Sequence, residues 1–318
     1  MKTKLEYWDS SMLSKYMECP RKFFFCHLLG WRSVYPGIHL TFGSAWHEAM
    51  EVLLAAEKYD PDTIQRAKDA FLLRYRKDFS AATDLDYAPK NPGYAEDALD
   101  AYCARYRADH TRFEALHIEV GDCVEVDNDH LIWLKLDALC RHHPTGGVFV
   151  LEHKTTGALT SVVQEKWNLA FQIGTYLHAL EMYFNPNEIM GVTINLAVLR
   201  KSGPDFLRID TRRTPAQLAV WLWHCRNLMA DIEYNLELLS RCTTSDPVLG
   251  AFPCNFTSCD NYRRMCEFAP YCMAWANPLQ HAERPPQDFV LEYWDPRPTV
   301  QRTLRTELTT TKKERSTS

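Results

Sequence analysis

The sequence predicts an α/β fold built on a mixed β-sheet with flanking helices. Residues 131–157 alternate apolar and polar side chains, turn at 144–147 and continue as a short apolar run, which indicates two strands. A third alternating stretch, 115–126, precedes them. A helix predicted over 162–184 then leads to a β-branched strand at 188–199. Three strands, a helix and a further strand require a crossover connection, so we expect a mixed sheet.

Helical segments occupy most of the chain before these strands. Residues 11–29 predict two short helices broken at Pro20, with Ser10 or Ser11 capping the first. Further helices are predicted over 43–57, 61–80 and 93–112. We therefore interpret 35–112 as a helical insertion ahead of the sheet.

The C-terminal third changes character after one long helix. That helix is predicted over 214–239, with a proline at its first position. Residues 253–272 are cysteine-rich and loop-like, and the chain beyond 285 is rich in proline and then in charged and hydroxyl residues. We predict one domain over 1–284 and a partly disordered tail over 285–318.

Composition excludes membrane-embedded classes. The chain has 318 residues, of which 46% are hydrophobic, and this is enough for a substantial core. No apolar run is long enough to cross a bilayer and the first residues lack a signal-peptide pattern, so we expect a cytoplasmic protein without a membrane partner. The net charge of −5 argues only weakly against DNA binding.

Three charged residues lie near strand ends. Asp137 belongs to the first strand of the 131–157 pair, and Glu152 and Lys154 follow the apolar run of the second. Residues two apart share one face of a strand, so Glu152 and Lys154 emerge together while His153 points away. Two carboxylates suit Mg²⁺, and a lysine can orient or deprotonate an attacking water or offset developing charge. Solvated charges at strand ends explain the same pattern equally well.

Other polar residues can be added to this group. Gln172 and Tyr176 are one helical turn apart and share a face, although a buried tyrosine with a polar neighbour is an ordinary core feature. His47 begins a helix, where a structural role is common; as a ligand it would favour Mn²⁺. Basic residues after the last predicted strand either neutralise phosphates or form solvated loops; these are Arg200, Lys201, Arg208, Arg212 and Arg213.

Eleven cysteines form the second strong signal. In a reducing compartment clustered cysteines indicate metal or cluster ligation rather than disulfides. Cys259, Cys266 and Cys272 are spaced C-x6-C-x5-C, one thiolate short of a [4Fe–4S] or tetrahedral zinc site. The fourth ligand is either the neighbouring Cys254 or the distant Cys19. Simple burial explains the other cysteines, which are Cys26, Cys103, Cys123, Cys140, Cys225 and Cys242.

Taken together, these residues resemble the RecB-like branch of the PD-(D/E)XK nuclease superfamily. The stretch GSAWHEAM resembles its histidine motif, Asp137 its motif aspartate and EHK its (D/E)xK motif. The spacing of Gln172 and Tyr176 resembles its QxxxY motif. The resemblance implies that His47, Asp137, Glu152 and the His153 carbonyl bind the metal. It also implies that Lys154, Gln172 and Tyr176 complete the catalytic site.

Within that branch the chain is most similar to iron–sulfur exonucleases, including CRISPR-associated RecB-like proteins, the AddB nuclease domain and phage-encoded relatives. The stretch LSKYMECPRKFFFCHLLG resembles the family's N-terminal cysteine motif. The resemblance implies a [4Fe–4S] cluster on Cys19, Cys259, Cys266 and Cys272, which clasps the N- and C-terminal segments of a restriction-endonuclease-like core. Many relatives carry a tighter C-x2-C-x5-C triplet.

The resemblance further implies Mg²⁺- or Mn²⁺-dependent hydrolysis of DNA, with single-stranded ends favoured, in recombination, repair or CRISPR-type processing. The chain has no helicase motif, so unwinding requires a helicase, recombination or CRISPR partner protein. Two alternatives are an endonuclease of the same fold and a non-catalytic iron–sulfur protein that binds DNA. Structural zinc in place of the cluster is a third.

Overall fold

The structure is a computed structural model that describes residues 1–261, 264–297 and 303–304. Most of the tail that was expected to be partly disordered therefore lies outside the described residues. No helix in the described part of the chain is both long and apolar enough to cross a membrane.

The strands, in chain order, are β1 (Trp8–Asp9), β2 (Trp31–Ser33), β3 (Phe113–Glu125), β4 (Leu131–His142), β5 (Val148–Thr156), β6 (Ile189–Arg200), β7 (Gly203–Thr211), β8 (Asp260–Asn261), β9 (Arg264–Met265) and β10 (Phe289–Leu291). The helices are α1 (Ser10–Glu18), α2 (Pro20–Phe23), α3 (Ile38–Leu54), α4 (Pro61–Tyr75), α5 (Pro92–Arg105), α6 (Asp109–Arg112), α7 (Ser161–Leu169), α8 (Phe171–Tyr183), α9 (Pro215–Arg241) and α10 (Ala269–Ala274). A π-helical turn, Phe24–Leu28, follows α2.

Among the described residues, one compact unit comprises 1–35, 123–134, 219–261 and 264–297. In it β1 pairs in parallel with the start of β4, and β2 pairs antiparallel with β10. Its core is aromatic: the ring of Phe25 stacks on Trp31 at 5.2 Å and on Phe268 at 4.9 Å. Such contacts bury large apolar areas, which stabilises a unit whose strands are short.

Among the described residues, the second unit comprises 36–122, 135–218 and 303–304. Its strands lie in the order β3, β4, β5, β6, β7, with β5 and β6 parallel and the pairs β4–β5 and β6–β7 antiparallel. The parallel pair β5–β6 needs a crossover, which α7 and α8 supply. Buried side chains of α3, α4 and α5 pack against β6 and β7, among them Trp46, Phe71, Leu99 and Phe206.

The predicted mixed sheet with flanking helices is confirmed, and helices α3–α6 fill the predicted insertion. The single predicted helix over 162–184 is wrong, because Ala170 has ψ 131° and separates α7 from α8. Strand β7 was not predicted. Asp9, not Ser10 or Ser11, caps α1, since its carboxylate accepts from the Ser11 and Met12 amides. The domain boundary at 284 stays a prediction.

Candidate active site

The residues that the sequence singled out for metal chemistry all lie in the second unit. His47 is on α3, Asp137 on β4, and Glu152 and Lys154 on β5. Since side chains alternate along β5, Glu152 and Lys154 share one face and His153 projects from the other. The fold therefore brings together residues that are separated by up to about a hundred positions in the chain.

The imidazole of His47, on α3, contacts the carboxylate of Asp137, on β4. Nδ1 of His47 lies 3.2 Å from Oδ1 of Asp137. Glu119, from β3, joins them: one ligand atom from each of these three residues lies within 4.8 Å of the others. An imidazole and two carboxylates are ligands that suit Mn²⁺ and, through the carboxylates, Mg²⁺.

Glu152 and Lys154 form a tightly packed ion pair on the same face of β5. Nζ of Lys154 donates to Oε1 of Glu152, whereas Oε2 of Glu152 has no hydrogen-bond partner among the described residues. Glu152 is only 1% exposed. Burial, together with repulsion from Asp137, raises the pKa of Glu152 to about 7. A buried carboxylate oxygen without a donor is costly, and a bound cation would satisfy it.

The electrostatics of the site are mutually compensating. Burial would lower the pKa of His47, but the Asp137 carboxylate outweighs it and the pKa is raised. Burial would raise the pKa of Asp137, but His47 and its other cationic neighbours lower it. Burial would likewise lower the pKa of Lys154, and Glu152 and Asp137 raise it instead. Lys154 is therefore an ammonium at neutral pH.

Gln172 and Tyr176 lie on α8 and are hydrogen-bonded to each other. Nε2 of Gln172 donates to the Tyr176 hydroxyl at 2.6 Å, and that hydroxyl donates to the carbonyl oxygen of Lys135 at 3.0 Å. Tyr176 is 2% exposed. Burial and the nearby Glu152 carboxylate raise its pKa far above the usual range. The pair thus fixes the backbone of β4 two residues before Asp137.

His153 connects this site to a buried polar network on the other face of the sheet. Its backbone N–H donates to Oδ2 of Asp137 at 2.7 Å, and its ring Nδ1 lies 3.0 Å from Nδ2 of Asn195. Arg208 in turn contacts Oδ1 of Asn195 at 3.3 Å and forms a two-pronged ion pair with Asp109. Arg208 therefore lies on a strand and pairs with Asp109 and Asn195, so neither predicted role, phosphate neutralisation or a solvated loop, fits it.

The cysteines considered as cluster ligands lie in the first unit; these are Cys19, Cys254, Cys259, Cys266 and Cys272. Cys19 accepts a hydrogen bond from the Asn255 amide at 3.3 Å and interacts electrostatically with Cys259, Cys266 and Cys272. Cys254 is hydrogen-bonded to Cys272, and this bond lowers the pKa of Cys254 to about 6. These interactions link five thiols, one more than the four ligands of a [4Fe–4S] cluster.

The family is decided by a comparison over most of the chain. A family model described as the PD-(D/E)XK nuclease superfamily matches residues 10–273. The chain belongs to this superfamily. Its members are metal-dependent nucleases, so membership implies a DNA substrate and a divalent metal ion, and the group His47, Glu119 and Asp137 offers ligands for such an ion.

Other comparisons add little about this nuclease. Among solved structures, "Crystal structure of SSO0001" is similar at 14% identity and a TM-score of 0.28, over 59% of this chain and 84% of that chain. A similarity at this level does not establish a shared fold. No curated protein matches the sequence.

Sequence reasoning about the nuclease missed Glu119 and Lys135. In the sequence both occupy polar positions of alternating stretches, and nothing in the neighbouring residues distinguishes them from solvated charges. In the structure they form a close ion pair beside His47 and Asp137. Glu119 lies on β3, which pairs with the strand of Asp137. This pairing is visible only in three dimensions, so the sequence gives no signal for it.

Proposed function

We propose that this protein is a Mg²⁺- or Mn²⁺-dependent DNA exonuclease of the RecB-like iron–sulfur branch. The observation that supports it most is the 3.2 Å contact between His47 and Asp137, with Glu152 and Lys154 beside them. Histidine, aspartate and an ExK pair together match the ligand and helper set of the resemblance described above. The donor-free Oε2 of Glu152 supports the presence of a cation.

His47, Asp137, Glu152 and the carbonyl of His153 would hold the ion. A divalent ion supplies Lewis-acid stabilisation of the charge that develops on the phosphate during hydrolysis. The protein supplies the rest. The His153 amide orients Asp137, and the short Lys154 contact orients Glu152, so that neither carboxylate must be reorganised when the substrate binds.

Lys154 acts as a cation in this proposal. The Glu152 and Asp137 carboxylates raise its pKa, and its ammonium group would orient the attacking water and offset charge at the phosphate. Gln172 and Tyr176 act indirectly. Gln172 donates to the tyrosine hydroxyl, which donates to the carbonyl of Lys135 on the strand that carries Asp137. The two residues are positioning residues.

The cysteine group is proposed to hold a [4Fe–4S] cluster through Cys19, Cys259, Cys266 and Cys272. Thiolate ligands carry negative charge, and the nearby Arg21 and Lys22 side chains interact with Cys254 and Cys266 respectively. Such a cluster would join residues near both ends of the first unit. Anaerobic purification with iron and zinc analysis distinguishes it from structural zinc, with Cys19→Ser expected to lose the bound metal and Cys242→Ser to keep it.

The decisive experiment is cleavage of end-labelled single-stranded, double-stranded and circular DNA with Mn²⁺ by wild type and Lys154→Ala. We expect wild type to degrade linear single strands from an end and the variant to lose at least about 100-fold in rate. Lys58→Ala, which changes an exposed lysine on the same unit, is the control. Equal cleavage by Lys154→Ala refutes the assigned site. Cutting of circles indicates the endonuclease alternative, and DNA binding without cleavage indicates the accessory-protein alternative.

A further inference from the structure

Glu119 has an unusual backbone in an otherwise regular strand. Its φ is +51°, in the left-handed region that residues with a Cβ rarely adopt. A non-glycine residue persists there only when its surroundings hold it, and such residues concentrate at functional sites. The conformation interrupts the side-chain alternation of β3 at Glu119.

The carboxylate of Glu119 is directed into the cluster formed by His47 and Asp137. One ligand atom of each residue lies within 4.8 Å of the others, a separation that a single ion can bridge. The carboxylate is also paired at short distance with Nζ of Lys135. The Glu119 carboxylate thus contacts the Lys135 ammonium and also lies near two proposed metal ligands, His47 and Asp137.

A second observation points to a cation in the same cluster. Oε2 of Glu152 is fully buried and has no hydrogen-bond partner among the described residues, and the carboxylate interacts electrostatically with Asp137 and His47. A buried ligand oxygen without a partner therefore belongs to a carboxylate that interacts with Asp137 and His47, two of the three residues in the ligand-like arrangement. An acidic surface patch would show neither.

We propose that Glu119 is an additional side-chain ligand of the divalent ion and that it exchanges Lys135 for the ion when the ion binds. This inference rests on the proposed function, because the ion is the one that the nuclease requires. The imidazole of His47 in this ligand set favours Mn²⁺ over Mg²⁺, because Mg²⁺ prefers oxygen ligands.

Lys135 is placed to make that exchange reversible. Without the ion, its ammonium compensates the Glu119 carboxylate. Its side chain is 41% exposed, so it can turn to solvent when the carboxylate is taken by the ion. The Lys135 backbone need not move, since its carbonyl is held by the Tyr176 hydroxyl at 3.0 Å.

The test measures Mn²⁺ binding without DNA, by titration calorimetry and by loss of the free-ion EPR signal. We compare wild type with Glu119→Gln, with His47→Ala as the positive reference. Glu114→Gln is the matched control, because Glu114 lies on the same strand, is exposed and is only 3.8 Å from Arg141. We expect at least about tenfold weaker binding for Glu119→Gln and an unchanged constant for Glu114→Gln. Wild-type affinity in Glu119→Gln, with loss in His47→Ala, overturns the inference.

Lys135→Ala provides a second measurement that does not require Glu119→Gln to fold. If Lys135 competes with the ion for Glu119, its removal tightens Mn²⁺ binding relative to wild type. Unchanged or weaker Mn²⁺ binding by Lys135→Ala contradicts the exchange. A protein that binds Mn²⁺ through Glu119 yet fails to cleave DNA refutes the proposed function alone. A protein that cleaves but binds Mn²⁺ independently of Glu119 refutes this inference alone.

Discussion

The backbone N–H of His153 donates a 2.7 Å hydrogen bond to Oδ2 of Asp137. The other oxygen of the same carboxylate, Oδ1, lies 3.2 Å from Nδ1 of His47. One carboxylate is thereby held between a strand amide and a helix side chain. Because the His153 ring simultaneously contacts Asn195, any shift of this residue changes the position of Asp137 as well.

Removing the Asn195 amide is expected to reduce both stability and turnover. Asn195→Leu keeps the side-chain volume but leaves the Nδ1 of His153 and the Nε of Arg208 without their 3.0 Å and 3.3 Å partners. Loss of buried hydrogen bonds costs about 1–3 kcal/mol, so the free energy of unfolding should fall by about 2 kcal/mol. If the His153 amide shifts with its ring, kcat for DNA cleavage falls about tenfold with KM nearly constant.

Thr193→Val is the matched change on the same strand, since it removes only an exposed 2.6 Å bond to Asp210. It should alter the unfolding free energy by no more than about 0.5 kcal/mol and leave kcat unchanged. If Asn195→Leu is destabilised yet cleaves DNA at the wild-type rate, the network is purely structural.

Two tyrosines of α8 separate a positioning role from a merely stabilising one. Tyr176→Phe leaves the Lys135 carbonyl without its 3.0 Å donor, and Tyr183→Phe removes a 2.7 Å bond to Asp122. Each variant should lose about 1–2 kcal/mol in urea unfolding. Only Tyr176→Phe should also lose cleavage activity, by about tenfold, because only its partner lies on the strand segment next to Asp137. Equal activity in both variants would contradict a positioning role for Tyr176.

His27 makes the first unit sensitive to acid. It is buried in the π-helical turn, and burial lowers its pKa to about 4, against an ordinary value near 6.5 in the unfolded chain. Between these values the unfolded chain binds a proton that the folded chain excludes. The free energy of unfolding therefore falls as pH decreases from about 6.5 to about 4, by up to about 1.4 kcal/mol per pH unit.

His27→Leu should make the free energy of unfolding less dependent on pH, because the variant lacks the proton that His27 binds only in the unfolded chain. Urea unfolding at pH 7.5, 6 and 5 measures the slope for wild type and variant. Part of the slope remains in the variant, since burial also lowers the pKa of His153 to about 3. Identical slopes in the two proteins would show that His27 does not titrate as its burial implies.

The strands and the candidate site residues were predictable for a physical reason. The apolar alternation of β4 and the apolar run that begins β5 mark the hairpin in the sequence. Asp137 and Glu152 were expected near strand ends, but they lie within β4 and β5. His47, Asp137, Glu152 and Lys154 do lie in one unit. The roles proposed for them, and for Gln172 and Tyr176, remain predictions.

What could not be predicted depends on contacts between distant residues. Strand β7 carries alternating charges that resemble a loop, and its Arg208 is accounted for by Asp109, 99 residues earlier. The break at Ala170 involves neither glycine nor proline, so no local signal marks it. Glu119 reaches the site through a backbone angle that the letters HIEVG do not reveal.

The hydrogen bonds around Cys19 have a consequence for how the proposed cluster would be loaded. Nε of Arg21 donates to the Phe252 carbonyl at 2.8 Å, and Nδ2 of Asn255 donates to the Glu18 carbonyl at 2.9 Å. These bonds join stretches more than 230 residues apart without using a sulfur atom. The proposed cluster would therefore be loaded onto an already assembled polypeptide, and a protein that has lost the proposed cluster to oxygen should remain competent for reloading.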